Sequence, residues 1–79
     1  MPKIEVRCYA TLRDKLPKDA IDGVYTYETF HSNIQGIVEE LGLPTEELHL
    51  IMKNGSRVSL DEPVNNGDRI GFFPPIGGG

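Results

Sequence analysis

The residues that most clearly suggest a chemical role are the last eight, FFPPIGGG, which span positions 72–79. Gly77, Gly78 and Gly79 form the thinnest peptide available, because glycine lacks a Cβ and adopts dihedral angles that other residues cannot. Such a tip fits a channel that any side chain would block, and what it delivers is the α-carboxylate of Gly79. We therefore expect this carboxylate to be the reactive group, with Gly77 and Gly78 as its tail.

The residues before the glycines have the character of a docking stem. Pro74 and Pro75 cannot donate to a sheet ladder, so they end the last strand and favour an extended path. Phe73 and Ile76 are apolar anchors, and burial on a partner contributes roughly 1.5–3 kcal/mol for each. Terminal glycines are often only disordered, but a disordered end has no use for such a stem.

Other groups capable of chemistry have structural interpretations. Cys8 lies on the apolar side of a strand pattern, which indicates a core thiol. His31 and His49 lack companion ligands at metal-binding spacing, so we interpret them as surface residues and expect no metal site. The carboxylate pairs Glu39-Glu40 and Glu46-Glu47 are expected on solvated faces.

Length and composition set outer limits. The 79 residues make one small domain, and twelve acidic against eight basic residues give a net charge of −4, which argues against nucleic acid as a partner. A single cysteine fits a reducing compartment. No apolar run approaches the roughly 18 residues of a membrane span, and the charged start is unlike a signal peptide. The expectation is a cytoplasmic protein that binds no membrane.

The first elements are predicted to form a hairpin. Positions 3–9 alternate with period two, with Ile4, Val6 and Cys8 inward and Tyr9 outward. A helical turn with Leu12 inward is expected before Pro17, and residues 24–27, which include Tyr25 and Tyr27, form the second strand.

One amphipathic helix follows. Ile34, Ile37, Val38 and Leu41 make one apolar stripe, which begins after an N-cap at Ser32 and ends at a left-handed Gly42. Gly36 weakens this helix, and a close approach to a strand would explain it.

Short strands complete the pattern. Residues 48–53 are predicted as a strand with Leu50 and Met52 inward, followed by an Asn54-Gly55 turn and a strand over 57–60. Residues 61–68 form a loop that Asp61 and Asp68 hold through bonds to the backbone. The last strand is Arg69–Phe73, with Ile70 and Phe72 inward.

This order predicts an α+β fold of the β-grasp type, in which a mixed sheet of four to five strands packs on one main helix. Residues 1–75 make the domain and residues 76–79 a flexible C-terminal tail. The first and last strands lie side by side in the centre of such folds. We therefore expect Tyr9 and Phe73 to be neighbours on the uncovered face.

The C-terminal third resembles a known family. The stretch VSLDEPVNNGDRIGFFPPI at positions 58–76, followed by Gly78-Gly79 after one variable residue, closely resembles the small subunit of molybdopterin synthase. That family includes the thiazole-pathway sulfur carrier and the archaeal small modifier proteins. The first strand agrees more loosely, and positions 16–53 match in pattern only. The resemblance implies the ubiquitin-like version of the β-grasp fold.

The resemblance also implies a chemistry. A ubiquitin-activating-type adenylyltransferase adenylates the Gly79 carboxylate with ATP and Mg²⁺, and a sulfur donor enzyme converts it to a thiocarboxylate for molybdopterin synthesis. This chain has no phosphate-binding loop. We therefore expect a carrier that binds no cofactor and is not itself an enzyme, although it can be a synthase's small subunit beside a large one.

The partner-facing positions implied by the family match this chain with one departure. They correspond to Tyr9, Arg57 and Phe73 together with the stem residues Pro74, Pro75 and Ile76. Arg57 places a charge where the family often has an aliphatic residue.

Two other functions use the same sequence features. A ubiquitin-like modifier would join the activated carboxylate to lysines, and a thiazole-pathway carrier would pass its sulfur to a different product. A third possibility is an interaction module with an inert tail.

Overall fold

A computed structural model describes residues 2–75 of the protein. Ile76 and the glycines 77–79 lie outside the described residues, so the flexible tail stays a prediction. The described part contains five strands, one α-helix and two 3₁₀ helices. In chain order they are β1 (Lys3–Cys8), a 3₁₀ helix (Ala10–Lys15), β2 (Val24–Glu28), α1 (Ile34–Leu41), a 3₁₀ helix (Thr45–Glu47), β3 (Leu50–Lys53), β4 (Ser56–Val58) and β5 (Arg69–Phe73).

The sheet is mixed and has the order β2-β1-β5-β3-β4. The central pair β1 and β5 is parallel, whereas every other neighbouring pair is antiparallel. The predicted hairpin of the first two strands and the predicted central pairing of the first and last strands are both confirmed.

The core lies between one face of this sheet and α1. Ile4, Val6 and Cys8 of β1 and Ile70 and Phe72 of β5 are buried, as their alternation predicts. From the helix, Ile34, Ile37 and Val38 meet them, and Leu12 of the first 3₁₀ helix closes one end. Within residues 2–75, no helix is long and apolar enough to cross a membrane.

The start of α1 differs from the prediction. Asn33, not Ser32, is the N-cap, and its side-chain oxygen accepts a hydrogen bond from the Gly36 N–H at 3.0 Å. The helix begins one residue later than expected because Asn33 is itself extended and bridges to Pro63 in the loop after β4. Carbonyls of the same loop, those of Glu62 and Leu60, accept hydrogen bonds from the first two N–H groups of the helix. Its end at Gly42, with φ of 70°, is as predicted.

Gly36 has a different cause from the one expected. A Cβ at this position would lie 2.6 Å from the Cβ of His31, so the close neighbour is a side chain of the preceding loop and not a strand. His31 is therefore a packed residue whose ring occupies the space that a side chain at position 36 would need.

The facing of β3 is the opposite of the prediction. Ile51 points into the core and is 7% exposed, whereas Leu50 and Met52 lie on the uncovered face. The antiparallel register with β5 fixes this, because Ile51 stands opposite the buried Phe72. β4 is also shorter than expected, since a turn closed by the Glu62 N–H and the Ser59 carbonyl follows it directly.

The loop before β5 is held mainly by Asp68. This carboxylate accepts hydrogen bonds from the Asn65 N–H at 2.7 Å and from the Asn54 side chain at 2.8 Å. Asp61 instead accepts from the Ser59 hydroxyl, which corrects the expected bond to the backbone. The loop and the Asn54-Gly55 turn are thereby tied together at the start of β5.

Candidate functional site

The parallel register of β1 and β5 brings Tyr9 and Phe73 together. Cys8 pairs with Phe72, and the Tyr9 N–H donates to the Phe72 carbonyl at 3.2 Å. The two following side chains therefore project side by side from the uncovered surface. Their rings stack with centroids 4.2 Å apart and planes 6° from parallel, which confirms the predicted neighbourhood.

The stack belongs to a larger surface, which we call the open face: the side of the sheet that α1 does not cover. One row of aligned residues crosses four strands of it. In order across the sheet, this row is Arg7, Gly71, Met52 and Arg57. Arg57 therefore lies on the same face as Tyr9 and Phe73, two strands from Gly71, or about 10 Å at the usual strand spacing.

A groove at the base of the stem runs beside the stack. It encloses about 420 Å³ and its lining is largely apolar. The lining residues are Tyr9, Ala10, Thr11, His49, Leu50, Phe73, Pro74 and Pro75. The last ladder bond before the prolines runs from the His49 N–H to the Phe73 carbonyl at 2.9 Å. The stem therefore begins where the sheet ends, directly beside an open apolar groove.

A second depression lies at Gly71, in the middle of the open face. It measures about 250 Å³ and is bordered by Arg7, Met52 and Arg69 as well as the aromatic pair. A Cβ at Gly71 would meet the Phe73 ring at 3.4 Å and the Tyr9 ring at 3.6 Å, so both rings extend over the glycine. The missing side chain leaves room there for a group from another molecule.

The charged residues of the open face differ in how they are engaged. Arg7 hydrogen-bonds Glu5, and that bond, followed by the attraction of the carboxylate charge, raises the pKa of Arg7 above its ordinary value. Within residues 2–75, neither Arg57 nor Arg69 forms an ion pair. Two guanidinium groups on this face are thus available for contacts with a partner.

The remaining cysteine and histidine candidates show no arrangement for catalysis or metal binding among residues 2–75. Cys8 is buried in the core, and burial raises the pKa of its thiol to about 11, so the thiolate is disfavoured at neutral pH. His49 is exposed beside the stem groove. Among residues 2–75, no three histidine, cysteine or acidic side chains are grouped as a metal site would require.

One carboxylate of the helix is engaged rather than simply solvated. Glu40 accepts hydrogen bonds from the Tyr27 hydroxyl at 2.8 Å and the Thr29 hydroxyl at 2.9 Å. Burial, and then the bond to Glu40, raises the pKa of Tyr27. These bonds fasten the end of β2 and the residue after it to α1.

Sequence reasoning omitted several residues of the open face, namely Arg7, Leu50, Met52, Arg69 and Gly71. The alternation of β5, read backwards from Phe73, places Gly71 and Arg69 on its outward side, and the same reading of β1 places Arg7 there. For Leu50 and Met52 the sequence pattern predicts core positions instead. The site residues Ile76, Gly77, Gly78 and Gly79 lie outside the described residues, and their roles stay predictions.

Known proteins match this chain over nearly its whole length. The family model described as Mut7-C ubiquitin matches residues 1–76. The molybdopterin synthase sulfur carrier subunit of Escherichia coli (strain K12) is 30% identical over 80 residues, which cover 96% of this chain and 99% of that protein.

Two solved structures share the fold. Haloferax volcanii small archaeal modifier protein 1 matches with a TM-score of 0.73 at 16% identity, over 96% of this chain and 100% of that one. A protein–protein complex of subunits 1 and 2 of molybdopterin-converting factor from Helicobacter pylori contains a chain that matches with a TM-score of 0.64 at 18% identity, over 98% and 99%. These likenesses show the ubiquitin-like β-grasp fold.

Proposed function

The chain belongs to the Mut7-C ubiquitin family, and on that premise we propose that it is a sulfur carrier protein whose C-terminal glycine becomes a thiocarboxylate. The observation that carries the proposal is the end of β5, where the Tyr9–Phe73 stack is followed in the sequence by two prolines, Ile76 and three glycines. The recipient pathway is molybdopterin synthesis, as the name of the Escherichia coli relative indicates.

The chemistry starts at the α-carboxylate of Gly79, which must be free. A carboxylate is a poor electrophile, so one of its oxygens first attacks the α-phosphate of ATP, and pyrophosphate leaves. The product is a mixed anhydride with AMP as a good leaving group. A sulfide equivalent from a donor enzyme then attacks the carbonyl carbon. AMP departs with the original oxygen, and the thiocarboxylate remains.

We assign the chain the role of a substrate rather than a catalyst. Its described residues offer a docking face and a stem, and its sequence contains no phosphate-binding loop. ATP and Mg²⁺ are accordingly assigned to an adenylyltransferase of the ubiquitin-activating type, and sulfur to a separate donor enzyme.

The partner that consumes the sulfur is, in this proposal, the large subunit of a synthase. The support is that the Helicobacter pylori neighbour was solved as a complex of subunits 1 and 2 of its converting factor. The open face and the stem groove provide the apolar contact area, and the glycines after the stem reach at most about 10 Å beyond it.

The test is the intact mass of the protein after incubation with an adenylyltransferase and donor enzyme from the same genome, ATP and a sulfur source. Exchange of one oxygen for sulfur at Gly79 is the expected result. A variant with Gly78 and Gly79 deleted is the control and should keep its mass. The proposal would be refuted if the mass of the full chain stayed unchanged although the same two enzymes added sulfur to an established carrier protein.

A protein modifier would use the same adenylate, and its fold is the same. The fold therefore does not separate carriage from conjugation, as the likeness to the archaeal modifier illustrates. Lysine adducts that end in this tail, found in digests of cell extract, would indicate conjugation. Free thiocarboxylate without adducts would indicate carriage.

A further inference from the structure

The charge of the open face is opposite to that of the molecule. Its outward positions carry four basic and two acidic side chains: Lys3, Arg7, Arg57 and Arg69 against Glu5 and Glu28. The whole chain has twelve acidic and eight basic residues. The positive charge is thus concentrated on the face that carries the aromatic stack.

Three of these charges border the apolar centre of the open face, which consists of Gly71, Met52 and the Tyr9–Phe73 stack. Arg7 lies on the β1 side of Gly71, Arg57 lies on the β4 side of Met52, and Arg69 lies two residues before Gly71 in β5. An aromatic centre with arginines at its margin is the composition found at energetically important parts of protein interfaces.

A partner that covers this centre must deal with the arginines. Burying a guanidinium without an opposite charge is strongly unfavourable. Arg57 and Arg69 form no ion pair with any of residues 2–75, so carboxylates of the other molecule are the compensation that this inference assigns to them. The planar guanidinium fork favours carboxylates that accept two hydrogen bonds at once.

We propose that the open face docks an acidic protein surface. In this complex, an apolar patch of the partner covers the Tyr9–Phe73 stack, and carboxylates around that patch contact Arg57 and Arg69. The inference rests on the proposed function, because the occupant is the synthase large subunit that receives the sulfur. It adds the surface chemistry of that partner, and it gives the charge of Arg57 an opposite charge to contact.

Nucleic acid fits the same face less well. Arg7 is already hydrogen-bonded to Glu5, and the whole molecule is negative, which opposes a polyanion. Tyr9 and Phe73 also stack on each other, whereas single-strand binders present separate rings to successive bases. A single-stranded oligonucleotide is therefore included in the test as the competing occupant.

The experiment measures the Kd of the cognate large subunit by calorimetry at about 50 mM and about 500 mM salt. The variant is Arg57→Gln with Arg69→Gln. The matched control is Lys15→Gln with Lys18→Gln, which removes the same charge from exposed positions away from the open face. An oligouridylate of about twenty nucleotides is the nucleic-acid probe, and thermal unfolding verifies that both variants fold.

Three results are expected together: weakening of wild-type binding by high salt, loss of about tenfold or more in affinity in the arginine variant, and near-wild-type affinity in the lysine control. Equal affinity of wild type and arginine variant at low salt would overturn the inference, as would tighter binding of oligouridylate than of the subunit. Sulfur exchange at Gly79, measured on the same proteins, separates the two levels. If wild type gains sulfur while the arginines prove irrelevant, only the acidic-partner inference fails. If wild type gains none, the proposed function fails.

Discussion

Phe73 contributes both to the sheet and to the proposed docking surface, since it ends β5 and stacks with Tyr9 over Gly71. Phe73→Ala removes this stack, which contributes roughly 0.5–1.5 kcal/mol beyond the buried area. We expect a small decrease in the free energy of unfolding and a loss of partner affinity of about tenfold or more. Urea unfolding and calorimetric binding measure the two effects.

The matched control for this change is Phe30→Ala. Phe30 is 79% exposed and lies in the loop between β2 and α1, away from the stem. It should alter neither stability nor partner affinity appreciably. Similar losses of affinity in the two variants would show that the stack has no special role in docking.

Cys8 gives a prediction about pH. Its folded-state pKa of about 11 lies above its unfolded value of 9.0, because burial disfavours the thiolate. The neutral thiol therefore stabilises the folded state fully below pH 9, and this contribution is lost as pH rises toward 11. Urea unfolding at both ends of this range should show a smaller loss of stability in Cys8→Ala than in the wild type. An identical loss would contradict the assignment.

At the scale of elements, Gly36 tests whether helix propensity or packing decides. Propensity alone predicts that Gly36→Ala stabilises α1 by about 1 kcal/mol. The His31 side chain occupies the required space, so we expect destabilisation instead. In a His31→Ala background the same change should become neutral or stabilising. A double-mutant cycle measured by urea unfolding gives the coupling, and additive effects would refute the contact.

The elements also show what a sequence can and cannot predict. β1 and β5 were predicted with the correct faces because each alternates between apolar and other residues. β3 contains Leu50, Ile51 and Met52 in succession, so alternation cannot select a face, and only the register with Phe72 does. The N-cap had the same ambiguity, since Ser32 and Asn33 are both good caps. The loop after β4 selects Asn33, because Pro63 bridges to it.

The candidate site was predictable in part for the same reason. Tyr9 and Phe73 follow from the expected central pairing of the first and last strands. The arrangement of Arg7, Arg57 and Arg69 around Gly71 depends on strand order and register over four strands. No local pattern in a single strand contains that information.

For the whole molecule, we expect different residues to determine folding stability and the gain of sulfur at the C-terminus. Within residues 2–75 the buried core residues all precede Phe73, and Pro74 and Pro75 offer no N–H to the sheet. A chain that ends at Phe73 should therefore unfold at nearly the wild-type temperature while it gains no sulfur. Ile70→Ala, which empties a fully buried position, should instead lose about 2–5 kcal/mol. Circular dichroism and intact mass provide the two readouts, and a truncated chain that fails to fold would disprove the separation.

The central pairing of β1 with β5 has a consequence during synthesis of the protein. The ribosome makes β1 and Tyr9 first, and it makes β5 with Phe73 only after the whole intervening chain. If the proposed adenylyltransferase recognises Tyr9 and Phe73 together, it would act on folded copies and not on misfolded ones. ATP and sulfur would then be used only on copies in which β1 and β5 have already paired.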